Sequence, residues 1–253
     1  MTTTTSQRRG FTLMETVIAI GVLAVLLSAF LTVFGPATSG IRRALSAQEA
    51  DRLASTLEKE LGTLRPNEKF TGGGGQTVGT AFDKAFDWIK NAKKDGNKPS
   101  DGTILIYQYR ADPTKMRDDG SLAAYTNAGS GIAGSDYVIQ SAVRRRKDSN
   151  NPKNDEYLKE DLKSLEGRVF AVCATQLVFK TNGLELGESG QIKDPKPPNN
   201  PATDATQYTE AVIAFSADFY GVPSTAYQYI TGAGFTNSAL QTPIFTRNLA
   251  ARR

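Results

Sequence analysis

A long apolar run near the N-terminus limits what this chain can fold into more than any other feature. From Val17 to Ala37 the only polar residues are Ser28 and Thr32, and both hydroxyls can hydrogen-bond to the helix backbone. At a rise of about 1.5 Å per residue, about 20 apolar residues cross a bilayer core of about 30 Å. Residues 13–34 are therefore predicted to form a helix that can span a membrane.

The composition excludes several kinds of chemistry. The 253-residue chain has no histidine, which excludes serine–histidine and cysteine–histidine catalysis and removes the commonest transition-metal ligand. Cys173 is the only cysteine, so no intramolecular disulfide can form, and its apolar neighbours predict a buried, unreactive thiol. The formal charge of +4 gives no field that would indicate a nucleic-acid partner. We predict no catalytic residue, no cofactor and no metal ligand.

Three interpretations compete for the apolar run. A secretory signal peptide has an apolar region of about 7–15 residues and a small-residue cleavage site, whereas this run is longer and carries Glu15. A twin-arginine signal is a stronger alternative, because Arg8 and Arg9 precede the run, but no export signal needs an acidic residue there. The third interpretation is an ordinary membrane anchor. Its orientation stays open on charge alone, because Arg42 and Arg43 follow the run.

The order of residues around Gly10 separates these interpretations. A short polar leader with Arg8 and Arg9 ends at Gly10, and the sequence continues as FTLMETVIAI, with a glutamate fifth after the glycine. This order resembles the type III signal of type IV prepilins and type II secretion pseudopilins, over residues 8 to about 36. The resemblance implies that a prepilin peptidase cuts between Gly10 and Phe11 on the cytoplasmic face and methylates the new amine of Phe11. It also implies that the apolar segment is kept, first as a membrane anchor and then as filament core.

Glu15 lies at the start of the apolar segment, where a charged side chain is energetically unfavourable. A carboxylate near the bilayer centre costs about 2.5–3.5 kcal/mol, so a retained one usually has a partner or a use. Phe11 and Glu15 lie one turn apart on a continuous helix, so a local pair with the new amine is one option. The resemblance implies another, in which Glu15 of an incoming subunit neutralises the amine of a neighbour and sets the axial register. We expect Glu15 to act in assembly.

The rest of the chain predicts a helix followed by a sheet. An amphipathic helix ending at Arg65-Pro66 is predicted by apolar residues at spacings near four: Ile41, Leu45, Leu53, Leu57, Leu61 and Leu64. The segment AFDKAFDWIKNAKK predicts a short covering helix with Phe82, Phe86 and Ile89 on one face and Trp88 on its flank. Four later segments alternate as strands do, and we expect the third and fourth to be central: 103–111, 136–145, 168–180 and 210–222.

These elements define the predicted fold class and domains. We predict an α+β protein with a long N-terminal helix, whose apolar half is transmembrane and whose amphipathic half packs on the head, plus an antiparallel β-sheet head with long loops. The resemblance implies that residues 1–10 are a cleaved leader and that 11–36 are a transmembrane and filament-core helix. Residues 37–66 are predicted to be an amphipathic helix, and the resemblance implies that 67–253 are a periplasmic pilin-like globular head. Gly35-Pro36 is expected to kink or loosen the long helix, and TGGGGQ at 71–76 is expected to be a linker.

Polar clusters in the head give weaker functional signals. None of the acidic stretches fits the alternating pattern of a calcium loop, so solvated turns are expected, although some pseudopilins bind calcium: Asp95, Asp101, Asp118, Asp119, Asp148, Asp155 and Glu156. The basic run RRRK at 144–147 could contact DNA or anionic lipid. Because no aromatic residues are interleaved with it, we expect a solvated strand end. Long polar loops are expected at 147–157 and 187–207.

The predicted function is structural rather than enzymatic. The resemblance implies a subunit, most similar to a larger minor pseudopilin or minor pilin, of a type II secretion pseudopilus or type IV pilus-like filament. The implied partners are prepilin peptidase, other pilin or pseudopilin subunits, the inner-membrane assembly platform with its ATPase, and the membrane, with no nucleic acid expected. The implied location is the bacterial inner membrane in a single pass, with a cytoplasmic leader and a periplasmic head, and then the filament. The alternative is an exported, membrane-tethered binding protein or enzyme that uses the paired arginines as a twin-arginine-like signal.

Overall fold

The structure of the protein is a computed structural model of the full chain. It describes residues 12–66, 68, 70–71, 77–95, 98–127, 131–180, 183–232, 235 and 240–253. Arg8, Arg9, Gly10 and Phe11 lie outside the described residues, as do residues 72–76 of the predicted glycine-rich linker at 71–76. The chain divides into two compact units, Met1–Leu45 and Ser46–Arg253.

The order of elements is that of an α+β protein. The helices are α1 (Leu13–Leu61), α2 (Ala81–Asn91), α3 (Asn154–Lys163) and α4 (Tyr227–Thr231). The strands are β1 (Phe70–Thr71), β2 (Thr77–Val78), β3 (Lys94–Asp95), β4 (Lys98–Pro99), β5 (Ile104–Met116), β6 (Leu122–Ala124), β7 (Val138–Arg145), β8 (Leu165–Lys180), β9 (Gly183–Leu186), β10 (Ile192–Lys193), β11 (Pro201–Ala202), β12 (Val212–Gly221) and β13 (Phe245–Arg252). The predicted fold class is therefore confirmed: a long N-terminal helix is followed by an antiparallel β-sheet head.

The head is built on a seven-stranded antiparallel sheet. Strands β13, β12, β8 and β5 are neighbours in that order, β6 and β7 pair with β5, and β9 pairs with β8. Two of the predicted strands, now β8 and β12, are central, as the sequence predicts. The C-terminal segment forms β13, which pairs with β12 from Val212↔Arg252 to Phe219↔Phe245.

Side chains of β8 alternate between two apolar layers, as the period of two in a strand requires. Phe170 and Val172 lie in the layer that includes the last part of α1 and α2. Val169 and Ala171 lie in the layer that includes Leu158 of α3. The sheet is thus buried on both faces along the middle of β8.

The predicted apolar stripe of α1 is buried over its last part. Leu53, Leu57 and Leu61 are at most 1% exposed and lie in the first apolar layer. Ile41 and Leu45 continue the same spacing but are 61% and 60% exposed. The helix also runs without interruption through Pro36.

The end of α1 is joined to α2 by buried ion pairs. α1 ends at Leu61, just before Arg65-Pro66, as predicted. Lys84 of α2 has a fully buried side chain, and its Nζ donates to Glu60 at 2.6 Å and to Glu68 at 2.9 Å. Arg65 donates to the same Glu60 at 2.7 Å. Burial alone would raise the pKa of Glu60, but the hydrogen bond from Arg65 and the charge of Lys84 lower it below its usual value.

α2 forms as the sequence predicts. Its first turn is closed by a capping box, in which the Thr80 hydroxyl accepts from the Asp83 N–H and the Asp83 carboxylate accepts from the Thr80 N–H, both at 3.2 Å. The predicted apolar side chains are all buried, as is Ala85: Phe82, Phe86, Trp88 and Ile89.

The polar loop predicted at 147–157 is wrong in its second half, because α3 begins there. Asp155 and Glu156 lie in the first turn of α3, where negative charge favours a helix start. Tyr157, Leu158 and Asp161 are buried, so α3 has an inward face despite its polar sequence. The second predicted loop, 187–207, contains the short pair β10–β11 and a 3-10 turn at Ala205–Gln207.

Replacing Leu57 by alanine should lower the free energy of unfolding by about 2–5 kcal/mol, because the side chain is fully buried and its loss leaves a cavity. Urea titration of the full chain in detergent micelles can measure this through Trp88, the single tryptophan and a buried one. The matched control is Leu45→Ala at an exposed position of the same helix, where a change within about 0.5 kcal/mol is expected. Equal losses at both positions would contradict the packing described.

Candidate functional site

Thr12 and Glu15 form a reciprocal pair at the start of α1. The Thr12 N–H donates to Glu15 Oε2 at 3.0 Å, and the Thr12 hydroxyl donates to the same oxygen at 2.9 Å. The Glu15 N–H donates to Thr12 Oγ1 at 3.3 Å. The first N–H groups of a helix have no partner within it, and this capping box supplies partners for two backbone N–H groups at the helix start.

The sequence analysis assigned Glu15 to assembly and missed its part in the capping box. The signal was present, because T-x-x-E directly before an apolar run is the pattern of such a box. Within the part of the chain that the structure describes, Thr12 alone hydrogen-bonds to the Glu15 carboxylate, and no basic side chain pairs with it. The cap therefore satisfies hydrogen bonds of the carboxylate and leaves its charge without a cation among those residues.

The following segment of α1 is apolar on every side. Its large apolar side chains are exposed, from 84% at Leu13 to 50% at Phe34. As predicted, the hydroxyls return to the backbone: Ser28 donates to Ala24 O and Thr32 to Ser28 O, both at 2.8 Å. Among the described residues α1 is the one helix long and apolar enough to cross a membrane.

Comparison with known proteins concerns this same segment. Residues 5–31 match the family model of the prokaryotic N-terminal methylation motif. The chain carries a prepilin-type methylation motif. The motif and the apolar helix are consistent with a membrane-anchored, type IV prepilin-like protein, and they support a pilin-like or pseudopilin subunit. No curated protein and no solved structure matches the chain.

The processing residues predicted from the sequence all lie inside the matched range. These are Arg8 and Arg9 in the leader, Gly10 before the expected cut and Phe11 after it. They fall outside the described residues, so the geometry of the site begins at Thr12. Their roles in processing stay predictions.

The basic run at 144–147 was expected to be a solvated strand end, and that prediction is wrong for its three arginines, whereas the side chain of Lys147 is 49% exposed. The side chains of Arg144, Arg145 and Arg146 are at most 8% exposed. Each donates to aspartates that lie far away in the sequence, in four pairs with distances of 2.9, 3.0, 2.8 and 2.9 Å: Arg144–Asp161, Arg144–Asp119, Arg145–Asp87 and Arg146–Asp101. A run that is already paired with carboxylates presents little positive charge to phosphate groups.

The expectation of solvated turns is wrong for two of the acidic residues, Asp119 and Asp148, whose side chains are 5% and 4% exposed. Asp101 and Asp118 are exposed, at 67% and 65%. Burial would raise the pKa of Asp119, but the charge of Arg144 and hydrogen bonds from Ser121 bring it below its usual value. Among the described residues no group of three or more acidic or cysteine side chains is placed to hold a metal ion.

Asp161 is the carboxylate on which the buried network converges. Its Oδ2 accepts from the Tyr107 hydroxyl at 2.7 Å and from Arg144 Nε at 2.9 Å, and its Oδ1 accepts from Arg117 Nη1 at 2.7 Å. The network therefore ties α3 to β5, to β7 and to the turn after β5. Burial and then the charge of Asp161 raise the pKa of Tyr107 well above its usual value, so its hydroxyl remains a donor. Both oxygens of Asp161 accept hydrogen bonds from protein groups, as is typical of a structural network, although the buried Arg117 Nε has no hydrogen-bond partner among the described residues.

Cys173 is buried in β8, as predicted. Burial raises the pKa of its thiol to about 12, so the reactive thiolate is scarce at neutral pH. The structure gives this residue no nucleophilic role.

Replacing Asp161 by asparagine should lower the free energy of unfolding by about 3–5 kcal/mol, because Arg117 and Arg144 would lose a buried counter-charge. Urea titration with Trp88 fluorescence measures it. Asp155→Asn, also on α3 but exposed, is the matched control and should change stability by less than about 0.5 kcal/mol. A loss at Asp161 no greater than at Asp155 would show that the network contributes nothing to stability.

Proposed function

We propose that this protein is a structural subunit, a minor pseudopilin or minor pilin, of a type II secretion pseudopilus or type IV pilus-like filament. The observation that carries the proposal is continuity: the methylation motif at 5–31 runs directly into a helix whose apolar surface is exposed all round. A removable export signal would leave the mature chain without that helix. A retained helix of this kind needs lipid or other apolar helices around it.

The apolar segment is proposed to act first as an anchor and then as filament core. Burying a single large apolar side chain contributes about 1.5–3 kcal/mol, and this segment exposes many of them. The bilayer covers that surface before assembly, and the helices of neighbouring subunits cover it afterwards. Residues 11–36 are assigned this role, with 37–66 as the amphipathic continuation and 67–253 as a periplasmic head.

Processing is proposed to follow the motif. Prepilin peptidase removes residues 1–10, helped by the positive charges of Arg8 and Arg9 that keep the leader cytoplasmic. The cut follows Gly10, and the new amine on Phe11 is methylated. The protein is thus a substrate of an enzyme and not itself an enzyme, in keeping with its lack of histidine and with a buried thiol. Its further partners are other subunits and the inner-membrane assembly platform with its ATPase.

The capping box supports a role for Glu15 in assembly. The N–H of Thr12, to which the carboxylate is bonded, belongs to the peptide bond that joins Thr12 to Phe11. The carboxylate is therefore held at the N–H of Thr12, the residue directly after Phe11, on which cleavage creates a new amine. The cap leaves the charge of Glu15 available for a cation, either its own terminal amine or that of a neighbouring subunit. Pairing between subunits would set the stagger of the filament.

Gly10→Leu should leave the leader attached, since the peptidase must accommodate a small side chain before the cut. Mass spectrometry of the N-terminal peptide from host membranes measures this, and the native chain should begin with N-methylated Phe11. Gly21→Leu is the matched control, because an added Cβ at Gly21 meets nothing within 4 Å and the apolar segment accepts leucine. Normal cleavage of Gly10→Leu, or a native cut beyond residue 30, would favour the exported-protein alternative instead.

Glu15→Gln should be cleaved and methylated but should enter the filament fraction at least about tenfold less, because the new amine loses its counter-charge. The ratio of filament to membrane signal in sheared cells measures this. Thr12→Val separates charge from capping, since it removes the threonine hydroxyl and keeps the carboxylate. It should assemble nearly as well as the native chain. Equal loss in both variants would mean that Glu15 acts through the helix cap.

A further inference from the structure

The central strands β8 and β12 pair along only part of their length. Their pairing runs from Gly221↔Phe170 to Phe215↔Gln176 and then stops. Beyond that point residues 177–180 of β8 pair with β9, and residues 212–214 of β12 pair with β13. The two strands therefore separate into a fork, and within the described residues the facing edges of its two arms have no strand partner over those positions.

The backbone of β8 directs its polar groups into this fork. The Gly187 N–H donates to Gln176 O at 2.8 Å, so the main chain of Gln176 points towards β9. Main-chain groups of successive strand residues point to opposite sides, so those of Leu177 and Phe179 point towards β12. A cleft of about 720 Å³ occupies the fork.

One face of the fork is apolar. Leu177 lies opposite Leu186, and Phe179 lies opposite Leu184, so these four side chains share a face of the sheet. Val212 falls on the same face, at the place that would oppose Phe179 if the β8–β12 register continued. Phe179 is 81% exposed and Leu186 62% exposed, so this apolar face lacks a cover.

The other side of the cleft is acidic. The Tyr208 hydroxyl donates to Val212 O at 3.0 Å, and the carboxylates of Asp194 and Glu210 line the cleft near it. Burial raises the pKa of Tyr208, and these two negative charges raise it further. The basic lining residues are already paired at 2.8 Å each, as Lys180–Glu185 and Lys193–Glu188. Neither Asp194 nor Glu210 belongs to an ion pair among the residues described.

We propose that this fork is a docking site for an extended peptide segment of a partner protein, apolar at alternate positions and carrying a lysine or arginine between them. Open strand edges select an extended main chain, because a strand offers N–H and C=O groups at the matching spacing. The exposed apolar face selects the alternate apolar side chains. The carboxylates of Asp194 and Glu210 select the basic one, because neither has a cation among the described residues, although Asp194 accepts hydrogen bonds from Thr209.

The proposal stands independently of processing at Gly10. A chain that keeps its leader would still have the fork, so binding there and cleavage of the leader can fail separately. The experiment therefore uses the full chain in detergent micelles, both native and as Gly10→Leu, and the same binding is expected in both.

The probe is the blocked peptide Ac-TVRVTVT-NH2, which places valines on one face and arginine on the other. At ten times its dissociation constant it should slow hydrogen exchange of the Leu177 and Phe179 amides about tenfold. Ac-TPRPTPT-NH2, in which proline removes every second backbone N–H and so prevents pairing with both arms of the fork, should not. Equal protection by the proline peptide, protection confined to the outer edge of β9, or no binding at millimolar peptide would each overturn the proposal.

The charge preference is tested by exchanging charges. Ac-TVEVTVT-NH2 should bind the native chain about two- to fivefold more weakly than the arginine peptide, and Glu210→Lys should reverse that order. Asp155→Lys, an exposed change on α3, is the matched control and should leave the order unchanged. Unchanged order in Glu210→Lys would overturn the acidic selection. An apolar dye such as anilinonaphthalene sulfonate can be bound in the cleft as a competitor. If none of the peptides displaced the dye, the fork would be a small-molecule pocket and the proposal would be overturned.

Discussion

The apolar surface of the first part of α1 is the constraint on which the rest of the molecule depends. Exposing its many leucine, valine, isoleucine and phenylalanine side chains to water would cost more free energy than the about 5–15 kcal/mol by which a typical domain is stable. The first part of α1 therefore needs lipid or other apolar helices to cover its surface. From Ala50 to Leu61 the same helix contributes one stripe to the core of the second unit. A single helix thus serves two environments, and the change in its sequence pattern marks where one gives way to the other.

Many charged side chains of the head are buried and pair with one another. Arg144 and Arg117 share the fully buried Asp161, and Lys84 shares Glu60 with Arg65. Removing one member of such a set leaves a buried charge, whereas the complete set is close to neutral, which makes the set sensitive to single changes and unsuited to exchange with ligands. At the fork between β8 and β12, by contrast, the main-chain groups of Leu177 and Phe179 have no strand partner among the described residues, and apolar side chains are exposed.

The parts of the fold that depend on local patterns were predictable, and the parts that depend on distant pairing were not. Leu53 and Leu57 follow a helical period, and β8 follows a period of two, so both were found. Helix α3 was missed because its polar sequence shows an inward face only when Asp161 is paired with arginines from other elements. The burial of the basic run has the same cause. At the candidate site the motif was visible in the sequence, and the capping box of Thr12 and Glu15 could also have been predicted from its spacing.

Under the proposed function the two interactions of Glu15 are complementary. The capping box supplies hydrogen-bond donors to one oxygen of the carboxylate, which lowers the desolvation penalty of placing the group near lipid. Its negative charge still favours a nearby cation. The precursor has no cation at Phe11, because that nitrogen is part of a peptide bond until the leader is removed. Cleavage creates the amine one residue from the carboxylate that Thr12 already orients. Processing would therefore also supply a counter-charge to Glu15, which would allow this helix to enter an apolar filament core. Assembly would then depend on cleavage.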